Sequence, residues 1–307
     1  MCRNVRQHGH EFPEDPAPPQ RGLDRRVTRA EHRSVAVRLC RVLVAVAAAH
    51  VGGCASGGAT HTVPPPSAAP ASRALDPAAS PGGNFDLSLW ELQEPVGAPG
   101  KPTIVKPAAL VGRSGYHDSF FFTDPADGAM TFWDPESGVA TPNSRYPRSE
   151  LREMNADGTP ANWPVAGTNR LTATLAVTEV PDHVCVGQIH VGTPIQAGLV
   201  PSTKPLLELY VYASGRIALG IENDPTGGQT SYDVGQVPLG ARFTYAIQLT
   251  GDGTISVTLD GATKTFKMAP TFGGYGHYFK AGDYDQTVGR DASVGAKVKF
   301  YALSVSH

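Results

Sequence analysis

The chain has 307 residues, 40% hydrophobic and 18% charged, with 34 Gly, 27 Pro and a formal net charge of −2. That is enough chain for one large domain or two small ones, and too close to neutral for the broad basic surface of a general nucleic-acid binder. Of the four cysteines only Cys185 lies beyond residue 54, so the main domain has no internal disulfide, and no CxxC or Cys/His spacing suggests zinc.

Residues 1–54 carry nine Arg against five Asp or Glu. The first 34 are rich in Arg and Pro and lack apolar periodicity, and initiation near Val35 or Val37 stays open. Val42–Ala49 is a short apolar run preceded by Arg38 and Arg41. It is too short to span a bilayer as a mature helix and suits the apolar region of a signal peptide. The run leads into Val51-Gly-Gly-Cys54, which resembles the lipobox of bacterial lipoproteins. Cys54 is then the expected lipidation site, and the mature protein is expected outside the cell or at its surface. Residues 55–83 are mostly Ala, Pro, Ser and Gly, including Pro64-Pro-Pro66, and read as a flexible tether.

From Asn84 onward short β-prone runs alternate with turn signals. The runs are 170–177, 206–212, 216–221, 243–250, 254–259 and 297–304. Ser214-Gly215, Asn223–Gly228, Gly251-Asp-Gly253 and Asp260-Gly261 separate them. With no long 3.6-residue period, the pattern predicts a single all-β domain over 84–307, a β-sandwich or jelly roll. This segment holds 16 Lys or Arg against 22 Asp or Glu, a formal charge of −6, so any cationic site in it is local.

Three stretches share a further property. Side chains alternate faces along a strand. In 148–153 that puts Arg148, Glu150 and Arg152 on one side, with Ser149 and Leu151 opposite. In 184–191 it puts Gln188 and His190 together, with Cys185, Gly187, Ile189 and Val191 opposite, so that Cys185 is expected in the core. In 278–286 it lines up Tyr278, Lys280, Gly282, Tyr284 and Gln286, with Phe279, Ala281, Asp283 and Asp285 behind them. Taken singly, each has an ordinary reading as a solvated face, a surface His or an amphipathic edge. If the three strands pair in one sheet, its face becomes a polyanion-binding groove with titratable groups at its centre.

The stretches "RSELRE", "QIH" and "YFKAGDYDQ" resemble, in order, the three signature motifs of the polysaccharide lyase family seven alginate lyases. Phe85-Asp-Leu-Ser-Leu-Trp90 and Val298–Val305 resemble the two ends of that domain, so the likeness spans 84–307. It implies a jelly roll with a concave substrate groove, and alginate as the partner. Alginate is cleaved by β-elimination: the C5 proton leaves, the C4 oxygen is expelled and a 4,5-unsaturated uronate remains. The sugar carboxylate must be neutralised, a base placed at C5 and an acid at O4. Arg148 offers fork geometry for a carboxylate, Gln188 an uncharged donor, His190 a base and Tyr284 an acid whose pKa nearby cations should lower. The resemblance assigns these four the same roles. Arg152, Lys280, Tyr278 and Gln286 are expected to hold neighbouring sugars, and Glu150 to orient the arginines.

No metal or other cofactor is expected, since there is no EF-hand loop or carboxylate-rich cluster. A monomer is expected, touching a membrane only through its lipid anchor. Within the family that the chain resembles, isoleucine in the middle of "QIH" accompanies activity on guluronate-containing blocks, so the resemblance implies that preference, and 192–204 and 225–232 are candidate capping loops. A retaining glycoside hydrolase would need a pair of catalytic carboxylates that no strand supplies. A non-catalytic module for acidic polysaccharide, or a lyase for another polyuronate, stays open.

Overall fold

The computed structural model describes residues 74–307, so the signal region, Cys54 and the tether up to 73 lie outside the described residues. Ten residues of the expected tether are packed on the domain. Asp76 and Asn84 exchange hydrogen bonds at 2.8 and 2.9 Å, and the Ser80 hydroxyl donates to Gly112 O at 2.9 Å. A short helix α1 follows (Pro81–Asn84).

Fifteen strands then build two antiparallel sheets. In chain order they are β1 (Trp90–Ala98), β2 (Lys101–Val105), β3 (Phe121–Thr123), β4 (Met130–Pro135) and β5 (Ser149–Glu153). β6 (Thr168–Glu179), β7 (His183–Pro194), β8 (Pro205–Tyr212), β9 (Arg216–Asp224) and β10 (Gly227–Gln236) come next. β11 (Phe243–Thr250), β12 (Thr254–Leu259), β13 (Ala262–Lys267), β14 (Tyr275–Asp285) and β15 (Gly295–Ser306) complete the set. One sheet has the order β10-β9-β8-β7-β14-β5-β1-β2 and the other β13-β12-β11-β6-β15-β4-β3. Hairpins make the outer parts, while the chain changes sheet at 2→3, 4→5, 5→6, 6→7, 10→11, 13→14 and 14→15. Those crossovers place β5, β14 and β7 side by side although residues 148 and 284 are far apart in sequence. The result is a jelly roll.

Alternation supplies the core between the sheets. Leu207, Leu209 and Val211 of β8 and Ile217 and Leu219 of β9 point inward and are at most 2% exposed. They face Leu171, Leu175, Tyr245, Ile247 and Phe300 of the second sheet, all fully buried. Each such side chain contributes about 1.5–3 kcal/mol. The Gly251–Gly253 turn joins β11 to β12 as expected, and Asp260 (φ 44°) with Gly261 (φ 88°) turns β12 into β13. The segment 225–232 differs from the expectation of a capping loop: beyond residue 226 it is edge strand β10, paired along β9. Its polar two-sided composition hides the strand signal, since an edge strand of a sandwich needs little apolar patterning.

Candidate active site

The three motif strands form adjacent strands of one groove floor. Register sets Lys280 of β14 between Arg152 of β5 and Gln188 of β7, and Tyr278 beside His190. Gly282 lets β14 approach β5: its φ is +148°, and a Cβ there would lie 2.8 Å from the Glu150 Cα. Loop residues 141–144 and 201–203 wall the groove.

Glu150 is the hub of the floor, 1% exposed. Its Oε2 accepts from Arg148 Nη1 at 3.1 Å and from Lys280 Nζ, and its Oε1 accepts from Gln188 Nε2 at 2.5 Å. Burial opposes ionisation, but Lys280 and Arg148 hold the Glu150 carboxyl below its ordinary range. Burial and the nearby Arg148 push Lys280 down to about 8, against the pull of Glu150. Burial also disfavours charge on Arg148, but Glu150 and then Tyr284 more than offset it and raise its pKa. Two cations thus meet one anion in a nearly water-free cluster. The uncompensated positive charge is a site for a further anion.

Around this cluster sit one base and one acid. His190 Nδ1 lies 2.9 Å from Val191 O. A carbonyl only accepts, so Nδ1 carries the proton and Nε2 keeps a free lone pair. Burial, with help from Lys280, lowers the ring to about 3, so it is neutral at pH 7. The ring stacks on Tyr278 at 5.1 Å, and the Arg152 guanidinium lies 4.3 Å from the Tyr278 ring. Tyr284 lies under Arg148, 3.6 Å from guanidinium carbon to ring centre, with its hydroxyl 2.9 Å from Ser144 Oγ. Burial raises this phenol above its usual value despite the pull of Arg148. The expectation of a lowered Tyr284 is therefore corrected. Desolvation of the phenolate outweighs one stacked cation, and Tyr284 is a proton donor at neutral pH.

A family model described as alginate lyase matches residues 85–307. The chain belongs to the alginate lyase family. An alginate lyase of Klebsiella pneumoniae is 30% identical over 293 residues, 77% of this chain and 93% of that protein. The solved alginate lyase of Pseudomonas aeruginosa superposes with a TM-score of 0.66 at 33% identity, covering 73% of this chain and all of that one. The family 7 alginate lyase A1-II′, solved as a Tyr→Phe variant with product bound, gives 0.64 at 34% identity over 75% of this chain and all of that one.

This polysaccharide lyase brings Arg148, Glu150, Arg152, Gln188, His190, Tyr278, Lys280 and Tyr284 to one groove, as the alternation predicted. Gln286 is not part of that lining. Its side-chain amide folds back and donates to Tyr284 O at 3.0 Å. Glu150 orients Arg148, Lys280 and Gln188, whereas Arg152 pairs with Glu91 at 3.5 Å. Cys185 departs from its expected position. A register shift between Cys185 and Gly187 sets both Val186 and Gly187 toward the inner side, where a Cβ on Gly187 would lie 2.5 Å from the Tyr245 hydroxyl. Cys185 is accordingly fully buried, but on the groove side, packed with Tyr210 and Tyr284. Glu208 and Ser144 are among the groove residues that were overlooked. Glu208 was legible in the alternation of Leu207-Glu-Leu-Tyr-Val-Tyr212, while Ser144 sits in a loop that no period describes.

Proposed function

We propose that the protein depolymerises alginate by β-elimination and prefers guluronate-containing blocks. The observation that carries this reading is the buried Arg148–Glu150–Lys280 cluster, with its excess positive charge, set between a neutral histidine and a protonated tyrosine. A sugar carboxylate held by Arg148 and the second amide hydrogen of Gln188 completes the charge balance and makes its C5 proton more acidic. His190 Nε2 then takes that proton and Tyr284 donates to the departing O4. In guluronate the proton and the leaving group lie on opposite faces, which suits two separate residues. In mannuronate they lie on one side, where Tyr284 serves both only in the fraction of molecules whose phenol has already lost its proton: the phenolate takes the C5 proton and passes it to O4. Arg152 and Tyr278 hold the adjoining sugar. The test is incubation with block-enriched alginates while following the ultraviolet absorbance of the unsaturated ends. Absorbance that rises fastest on guluronate-rich blocks is expected; no rise on any alginate would refute the reading, and strict polymannuronate specificity would refute the preference.

We also propose that the enzyme acts outside the cell on a lipid anchor at Cys54, from the small residues before it and the apolar run upstream. In a bacterial host, labelled fatty acid should enter the wild type and not Cys54→Ser. Equal labelling of both would refute the anchor.

A further inference from the structure

One buried carboxylate on the groove floor has no task in this chemistry. Glu208 of β8 stands directly opposite Gln188 in the register and extends the row Arg152, Lys280, Gln188 by one strand. It is 8% exposed and lines the groove. Its Oε2 accepts from the Tyr210 hydroxyl at 2.5 Å and from Gln229 Nε2 at 2.9 Å. Its Oε1 has no protein hydrogen bond among the described residues, yet is not sealed from solvent.

The support comes from far across the sheet. Gln229 belongs to edge strand β10 and must cross β9 to reach Glu208. It does so over Gly220, where a Cβ would lie 2.3 Å from the Gln229 amide. Three strands therefore cooperate to fix one carboxylate with one oxygen free.

In a groove for a polyanion such a group is a liability if charge is all it brings. Each uronate, however, also carries ring hydroxyls, and a carboxylate is the strongest acceptor a side chain can offer them. We propose that Glu208 is a substrate-binding residue that accepts hydrogen bonds from ring hydroxyls of the sugar lying past Gln188, on the side away from Lys280. The same charge turns that sugar's carboxylate toward the cationic half of the floor. The assignment rests on the polyuronate-lyase reading above.

The sign of one effect decides it. Glu208→Gln keeps the shape and removes a negative charge, so repulsion alone predicts tighter binding of the polymer. Loss of a charged hydroxyl acceptor predicts the opposite: KM for alginate at pH 8 rising about tenfold, with the loss falling on KM rather than kcat. Gln229→Ala changes an exposed residue outside the groove lining and only loosens Glu208. Its KM should rise a few-fold with its melting temperature held. A KM that is unchanged or lower in Glu208→Gln, or flat in Gln229→Ala should the first variant not fold, overturns the proposal. Wild-type enzyme without activity on alginate would instead sink the functional reading, and is measured first.

Discussion

The two faces of β14 bury ionisable groups in different ways. On the groove face Lys280 is tied to Glu150, and Tyr284 is stacked under Arg148 and bonded to Ser144. On the inner face Asp283 and His277 are fully buried, and among the described residues neither carboxylate oxygen of the one nor ring nitrogen of the other has a hydrogen-bond partner. An unpaired buried charge is too costly to keep, so these groups shed it. Burial, then neighbouring Asp134, drives Asp283 well above its ordinary value, and burial lowers His277 to about 4. One strand a single side chain thick thus keeps charge where an anionic substrate is to be gripped and discards it a few ångströms away. The difference lies in the partners: β5 and β7 supply counter-charge and amide donors to one face, whereas the other meets Trp163, Phe132 and further acids.

Removing chemistry from the groove face should have the largest effect. Tyr284→Phe is expected to lower turnover of every alginate at least about 10³-fold. His190→Ala should cost about 10²–10⁴-fold on guluronate blocks and less on mannuronate blocks. Initial rates on block-enriched polymers check both, and equal losses for His190→Ala on the two polymers would show that the histidine is not a guluronate-selective base.

The same chemical edit made on each face sharpens the contrast. Glu150→Gln strips the counter-charge from Arg148 and Lys280 and should destabilise the fold by about 3 kcal/mol or more, read by denaturant unfolding at pH 7. Asp283→Asn replaces a group that is already neutral and should cost little. Its sign with pH follows from linkage. A folded-state pKa above the unfolded one means that the native state holds the extra proton, so wild-type stability falls as pH rises above the ordinary carboxylate range. The Asn variant escapes this loss, and its melting temperature should gain on wild type as pH increases. A variant that loses ground instead would mean Asp283 is ionised and paired.

The smallest effect belongs to His277. Its folded-state pKa of about 4 lies below the ordinary 6.5, so between those values the unfolded chain binds more protons and stability drops as pH falls. His277→Phe should flatten that acid limb while preserving the stack on Trp163. Parallel melting curves for variant and wild type from pH 7 to 4 would show that His277 is not buried neutral.

By itself the sequence determined which residues could share a face. Alternation in 148–153, 184–191 and 278–286 is a local property of an extended backbone, and it singled out eight residues that do line the groove. The tertiary structure decided who their neighbours are. That Glu150 grips Lys280 and Gln188 rather than Arg152 depends on register across three strands brought together by sheet-to-sheet crossovers. That Cys185 sits beneath Tyr284 depends on a bulge, which adds one residue and reverses the alternation without changing composition. That Tyr284 stays protonated depends on how much water the walls exclude. Each is a non-local sum over elements distant in the chain, and no period within one strand contains it.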